Sequence, residues 1–168
     1  MMHPELTHYL QLLDDLHRQV KALVADLPAE ALNWQPIEGA GADTTNSLVV
    51  LATHVAGAEH FWIAEIIGQR PATRDRDAEF CTVATDAAEL VRRLDAVAAE
   101  TAEMLASLSE ADLNGVRVAR GHEVTVRWGI LHVIDHTALH LGHMQITYQL
   151  WMGGKGRPSP LWFERLPK

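Results

Sequence analysis

Four of the ten histidines in the chain stand in one run, His132-Val-Ile-Asp-His136-Thr-Ala-Leu-His140-Leu-Gly-His143. The run lies in sequence that reads as helix, and an α-helix turns by about 100° per residue. The four imidazoles therefore share a stripe about 80° wide on one face. Neutral imidazole is a common metal ligand, and two histidines four residues apart can chelate one ion. One such histidine is ordinary packing; four on a single stripe point to a metal centre. His54 falls three residues after Leu51 and one before Val55, on the core side of another helical segment. Alone it would read as a satisfied core histidine, but beside the stripe it becomes a candidate third ligand. Two ligands from one helix and one from a neighbour make a facial three-His site with positions left open for water or substrate. Spacing alone does not choose among His132/His136, His136/His140 and His140/His143.

The elements that must position these residues are legible from apolar spacing. Residues 5–27 give a first helix, with Leu6, Leu10, Leu13, Leu16, Val20, Leu23, Val24 and Leu27 at helical intervals and Pro28 just past its end. A Pro-, Gly- and Ala-rich connector, 28–46, carries Trp34-Gln35-Pro36. Asn46-Ser47 or Thr44-Thr45 can cap a second helix through Leu48, Leu51, Val55, Ala58, Phe61, Trp62 and Ile66, with Gly68 as its stop. Residues 69–85 read as a charged, irregular connector. A third helix starts at Asp86 and bears Leu90, Leu94, Val97, Thr101, Met104, Leu105 and Leu108. Val116-Val118 and Val124-Val126 flank Arg120-Gly121-His122-Glu123, which fits a small hairpin or a long loop. A fourth helix runs over 127–151 to Gly153-Gly154, and a tail, 155–168, brings Leu161, Trp162 and Phe163 within reach of the helices. Four amphipathic helices with irregular connectors predict an all-α four-helix bundle, one domain over 1–168. The second and fourth helices face one another with their histidines inward.

The composition narrows the function classes. A length of 168 residues with 48% hydrophobic and 21% charged residues suits one soluble domain with its own core. A net charge of −8 argues against a nucleic-acid binder held by phosphate contacts. No apolar run is long enough to span a bilayer, and the first residues lack the basic and apolar regions of a signal peptide. Cys81 is the only cysteine, so an intrachain disulfide and a cysteine-based zinc site are both excluded. The expectation is a cytoplasmic protein acting on a small molecule, with neither nucleic acid nor membrane as partner.

Several motifs in this order resemble the DinB-like (DinB/YfiT-like) superfamily of metalloenzymes. In that family a histidine of the second helix joins a His-x3-His pair on the fourth, followed by x-Gly-Gln or x-Gly-His. The matching segments are Leu51-Ala-Thr-His54-Val-Ala with Phe61-Trp62 beyond it, and His136-Thr-Ala-Leu-His140-Leu-Gly142-His143. The first connector, from Leu27-Pro28 through Trp34-Gln35-Pro36 to Asn46-Ser47-Leu48, is similar as well, and the resemblance extends to Met152. It implies that His54, His136 and His140 are the metal ligands. The expected ion is a divalent transition metal, Zn²⁺ foremost, with Ni²⁺ and Mn²⁺ also accepting imidazole. The resemblance further implies a homodimer. Some members transfer or isomerise with a low-molecular-weight thiol, mycothiol or bacillithiol, which suggests an S-transferase. A metal-dependent hydrolase and a non-catalytic, metal-stabilised stress-response dimer are the alternatives.

His132 and His143 exceed the minimal family pattern. Each is either a polar contact inside the bundle or a catalytic proton shuttle or alternate ligand. The remaining candidates read as bland. Asp135 points about 100° away from His136. Glu59 falls on a solvated face, His60 on a surface or interface, and His3, His8 and His17 on the surface. Trp34, Trp62, Trp128 and Trp151 read as packing residues, one of which could wall a pocket mouth. Cys81 reads as an inert thiol.

Overall fold

The computed structural model describes residues 2–39 and 44–166; the Ala40–Asp43 part of the first connector and the last two residues of the tail lie outside them. Four long helical segments and two short ones account for most of the chain. They are α1 (Pro4–Val24), α2 (Ala29–Asn33), α3 (Leu48–His60), α4 (Arg76–Phe80), α5 (Ala87–Ser107) and α6 (Val126–Trp151). Four of these helices start at short polar side chains that accept an otherwise unpaired N–H of the first turn. Ser47 accepts from Val50 N–H ahead of α3, and Asp75 from Ala78 ahead of α4. Asp86 accepts from Glu89 ahead of α5, and Thr125 from Trp128 ahead of α6.

Helix α1 packs on α5 and α6, and α3 packs on the same two. The core lies between them in two clusters. One gathers Leu16, Val20, Leu51, Val55, Leu94 and Met144; the other gathers Leu6, Leu13, Ile63, Leu105, Ile130 and Val133. Because α3 is central it is buried on nearly every side from Leu48 to Glu59. That corrects the expectation for Glu59, which is 2% exposed rather than solvated. Its carboxylate lies 2.7 Å from Nε2 of His17, itself buried rather than on the surface, and accepts a bond from Thr101. A helix without a solvent face has no position at which a polar side chain can reach water.

Past His60 the helix widens into a π-helical turn, Phe61–Ile67, closed by Gly68 N–H donating to Ile63 O at 3.0 Å. Such turns occur often at functional sites. After it comes a hairpin of β1 (Val116–Ala119) and β2 (His122–Thr125), antiparallel, with Ala119 opposite His122. Its two-residue turn is Arg120–Gly121, with φ of 50° and 83°. Both values are positive, as a type I′ hairpin turn demands. Arg117 of β1 donates from Nε to Ile67 O at 3.1 Å, tying the hairpin to the end of the π turn.

The first helix ends at Val24, three residues earlier than its apolar spacing suggests, because the chain turns there into the short α2. The charged connector 69–85 is not wholly irregular, since it contains α4. In the tail, Leu161 and Phe163 are exposed, at 57% and 54%. The tail is joined to the helices through Arg157, which donates to Tyr148 Oη and Ala22 O, and Arg165, which donates to Asp15.

Candidate metal centre

Helix α3 supplies His54 and helix α6 supplies His136 and His140, and one ligand atom from each lies within 4.8 Å of the others. His54 Nε2 and His136 Nε2 are 3.2 Å apart. A tetrahedral ion with bonds of about 2.1 Å separates two of its ligand atoms by about 3.4 Å, so this spacing fits two imidazoles sharing one ion.

All three rings are held neutral. Burial drives His136 down to about 3, helped by the neighbouring His140, His54, His132 and Arg74. Burial likewise drives His140 to about 4, with contributions from His54 and His143. For His54, burial lowers the pKa and outweighs the opposing pull of Glu79. A neutral imidazole keeps a lone pair available for a metal, so these shifts favour a cation at the point where the rings meet.

The contact that orients His54 comes from outside the long helices. Glu79, in α4, places Oε2 2.8 Å from His54 Nδ1. Because a carboxylate accepts and does not donate, Nδ1 carries the proton and the Nε2 lone pair faces His136. Arg74 grips Glu79 with both arms, Nε to Oε1 at 2.6 Å and Nη2 to Oε2 at 2.8 Å. Burial alone would raise the Glu79 pKa, but the bonds from Arg74 and His54 outweigh it, and the group stays ionised. The close approach needs Gly57, where a Cβ would overlap Glu79 Oε1. Arg74 is placed in turn by Glu65 at the end of the π turn. Its Oε1 accepts from the backbone N–H of Arg74 at 2.8 Å and from the N–H and hydroxyl of Thr73. His60 braces the same stretch between Glu100 and Thr73.

His54 and His136, though not His140, line a cleft of about 540 Å³. Phe61, Trp62 and Trp128 are apolar residues of its lining, and Arg74, Arg76 and Arg120 are polar ones. Among the described residues no carboxylate lines it. His132 stands in the wall, stacked on Trp128 with ring centres 5.0 Å apart and planes 5° from parallel, and also touches Trp62. His143 does not line this cleft. It is exposed on the far side of His140, Nδ1 to Nδ1 at 3.5 Å, and borders a second cavity with Ile37, Ile146 and Leu150.

Sequence reasoning missed Glu79 and Arg74, which lie in a connector whose charge pattern reads as solvated. The one local signal is Asp75, a capping residue followed by Ala78 and Glu79 inside the first helical turn. Asp135 is exposed, and Cys81 is an exposed free thiol. Trp62 and Trp128 wall the cleft, while Trp34 packs on Trp151.

A helical fold that brings together three imidazoles, one buried and two half-buried, beside an aromatic cleft defines a class of histidine-centred helical proteins. Residues 12–144, most of the chain, match the DinB superfamily, and the chain belongs to that family. The uncharacterized protein YkkA of Bacillus subtilis is 32% identical over 66 residues, a stretch covering 39% of this chain and 38% of YkkA. A DinB-like protein from Bacillus cereus superposes with a TM-score of 0.72 at 18% identity, over 90% of this chain and 95% of its own. A conserved protein from Enterococcus faecalis superposes with a TM-score of 0.71 at 20% identity, over 91% and 99%. At those identities the likeness speaks for the fold. Among the described residues no helix is long and apolar enough to cross a membrane.

Proposed function

We propose that this protein is a metal-dependent enzyme built as a single four-helix bundle, with His54, His136 and His140 holding one divalent transition metal, Zn²⁺ foremost. The carrying observation is the convergence of three neutral imidazoles, one of them backed by the Glu79–Arg74 pair and two of them lining a cleft. A carboxylate on the outer nitrogen of a ligand histidine fixes its tautomer and strengthens it as a donor. A bound ion would supply Lewis acidity, the property that eases loss of a proton from a water or thiol beside it.

The reaction class that fits best is S-transfer from a low-molecular-weight thiol to a small electrophile. Support comes from the cleft wall, which among the described residues carries no carboxylate to serve as a general base. Hydrolysis has to ionise water, whereas a thiol with a pKa near 8.5 gives up its proton far more readily. His132 is the residue we assign to receive that proton, since it stands in the wall with its ring fixed by Trp128. The contact of His143 with His140 Nδ1 leaves His140 Nε2 for the centre, so His143 serves as a positioning residue.

A second copy of the chain covers the outer face of α6 in this reading. Leu131, Leu139, Ile146 and Leu150 are 45–60% exposed on that helix. Apolar surface of this extent on one helix marks an association site.

The test is metal analysis of tag-free protein followed by turnover. About one equivalent of transition metal, lost in His54→Ala and His140→Ala, together with thiol-dependent consumption of an electrophile, is the expected result. Absence of metal after reconstitution with Zn²⁺, Ni²⁺ and Mn²⁺ removes the metalloenzyme reading, and turnover that needs no thiol replaces the transferase with a hydrolase.

A further inference from the structure

The charge of the cleft runs against that of the molecule. The chain carries a net charge of −8, yet among the described residues three arginines and no carboxylate line this cavity. Arg74 is engaged by Glu79, but Arg76 and Arg120 have no carboxylate partner within ion-pair distance among the described residues. Their guanidinium groups rest on aromatic rings instead, Arg76 4.7 Å from the centre of Phe80 and Arg120 5.8 Å from the centre of Phe61. A guanidinium on a ring keeps its N–H edges free for a planar anion.

Arg120 also occupies a position that its side chain does not favour. It is the first residue of the hairpin turn and has a φ of 50°, a region suited to Asn, Asp or Gly. The residue there contributes nothing to the ease of the turn, and its head group reaches the cleft. Backbone strain of this kind is kept where a side chain has work at a site. The aromatic pair Trp62 and Trp128 lines the same cleft, with ring centres 5.4 Å apart and planes inclined at 62°. It matches the flat apolar part of a ligand and offers little to a polar one.

We propose that the cleft binds a small carboxylate with a flat apolar body. Its carboxylate pairs with Arg76 and Arg120 at the mouth, its body lies along Trp62 and Trp128, and its far end reaches the histidines. This assignment rests on the metalloenzyme reading only for the reaction that follows; the binding itself is a property of the arginines and the aromatic wall.

Calorimetric titration with 3-phenylpropionate and with its neutral amide tests it, on chelator-treated and metal-loaded protein, with the metal content of every sample measured. Wild-type protein is expected to bind the acid about tenfold or more tightly than the amide, with or without metal, as charge-assisted pairing predicts. The preference should shrink to about twofold or less in the Arg76→Gln, Arg120→Gln double variant, whose changes lie at exposed positions and leave metal uptake intact. Equal binding of acid and amide, no binding of the acid, or a preference that survives in the double variant overturns the proposal. A preference present only in metal-loaded protein also overturns it, because the carboxylate is then held at the histidine centre. Failure to take up metal in these same samples overturns the metal reading and leaves the acid preference standing.

Discussion

His54 and Glu79 are 2.8 Å apart across two elements with no helical periodicity in common, one in the most buried helix of the fold and the other in a five-residue helix of the connector. The contact makes His54 Nδ1 a donor and so aims Nε2 at His136. Glu79→Gln keeps the shape and removes the charge. Metal affinity, read by competition with a chromogenic chelator, is expected to fall about 10- to 100-fold. An unchanged affinity would mean that Glu79 serves the fold and not the centre.

Gly57→Ala reaches the same contact without altering any polar group. The added methyl occupies the space of Glu79 Oε1, so either Glu79 or the helix must move. Reduced metal affinity with helical content retained is the expected outcome, measured by chelator competition beside circular dichroism. Affinity equal to wild type would show that Glu79 can act from another position.

Acid should weaken the metal-free protein. His136 and His140 have values of about 3 and about 4 in the fold, against an ordinary 6.5. Between those limits the unfolded chain binds more protons than the folded one, so stability is full above pH 6.5 and falls as the pH drops. Urea midpoints from pH 8 to pH 4 should decline in the wild type and decline less in the His136→Gln, His140→Gln variant. Parallel curves would assign acid sensitivity to other groups.

The buried pair of His17 and Glu59 provides the contrasting case. Both side chains are at least nine-tenths buried and the pair is distinct from the three-histidine group. His17→Ala leaves a buried carboxylate short of a partner and should cost about 3 kcal/mol of stability. Metal content at a temperature where the variant is folded should match wild type. Loss of metal in the folded variant would show the two clusters to be coupled.

Ile146→Glu places a charge in the exposed stripe of α6, where Ile146 is 60% exposed. Light scattering should find the variant monomeric where wild type is a dimer. A wild-type monomer would remove the dimer reading, and a variant that still pairs would place the contact elsewhere.

The long helices were legible because each amphipathic one repeats its apolar residues at a helical interval, and the stripe on α6 stood out for the same reason. The structure brings His54 together with the two histidines that the family resemblance singled out from a stripe of four. What was not legible follows from how each residue is reached. Glu79 and Arg74 act through a fold-back of the connector, and their use depends on Glu65 catching two backbone N–H groups, which no spacing rule encodes. Glu59 was misread because its angular distance from His54 implies solvent only on a helix that has a wet side. Helix α3 has almost none.

The π-helical turn after His60 carries Glu65, and through Glu65 it fixes where the connector begins its return toward His54. The donor strength of a buried imidazole is therefore set by a short external segment that takes no part in the hydrophobic core. If the three histidines hold an ion, sequence drift between Arg70 and Cys81 would retune which ion is preferred without touching the ligands themselves. In a lineage of such proteins, metal preference would evolve fastest in the stretch that looks least like a binding motif.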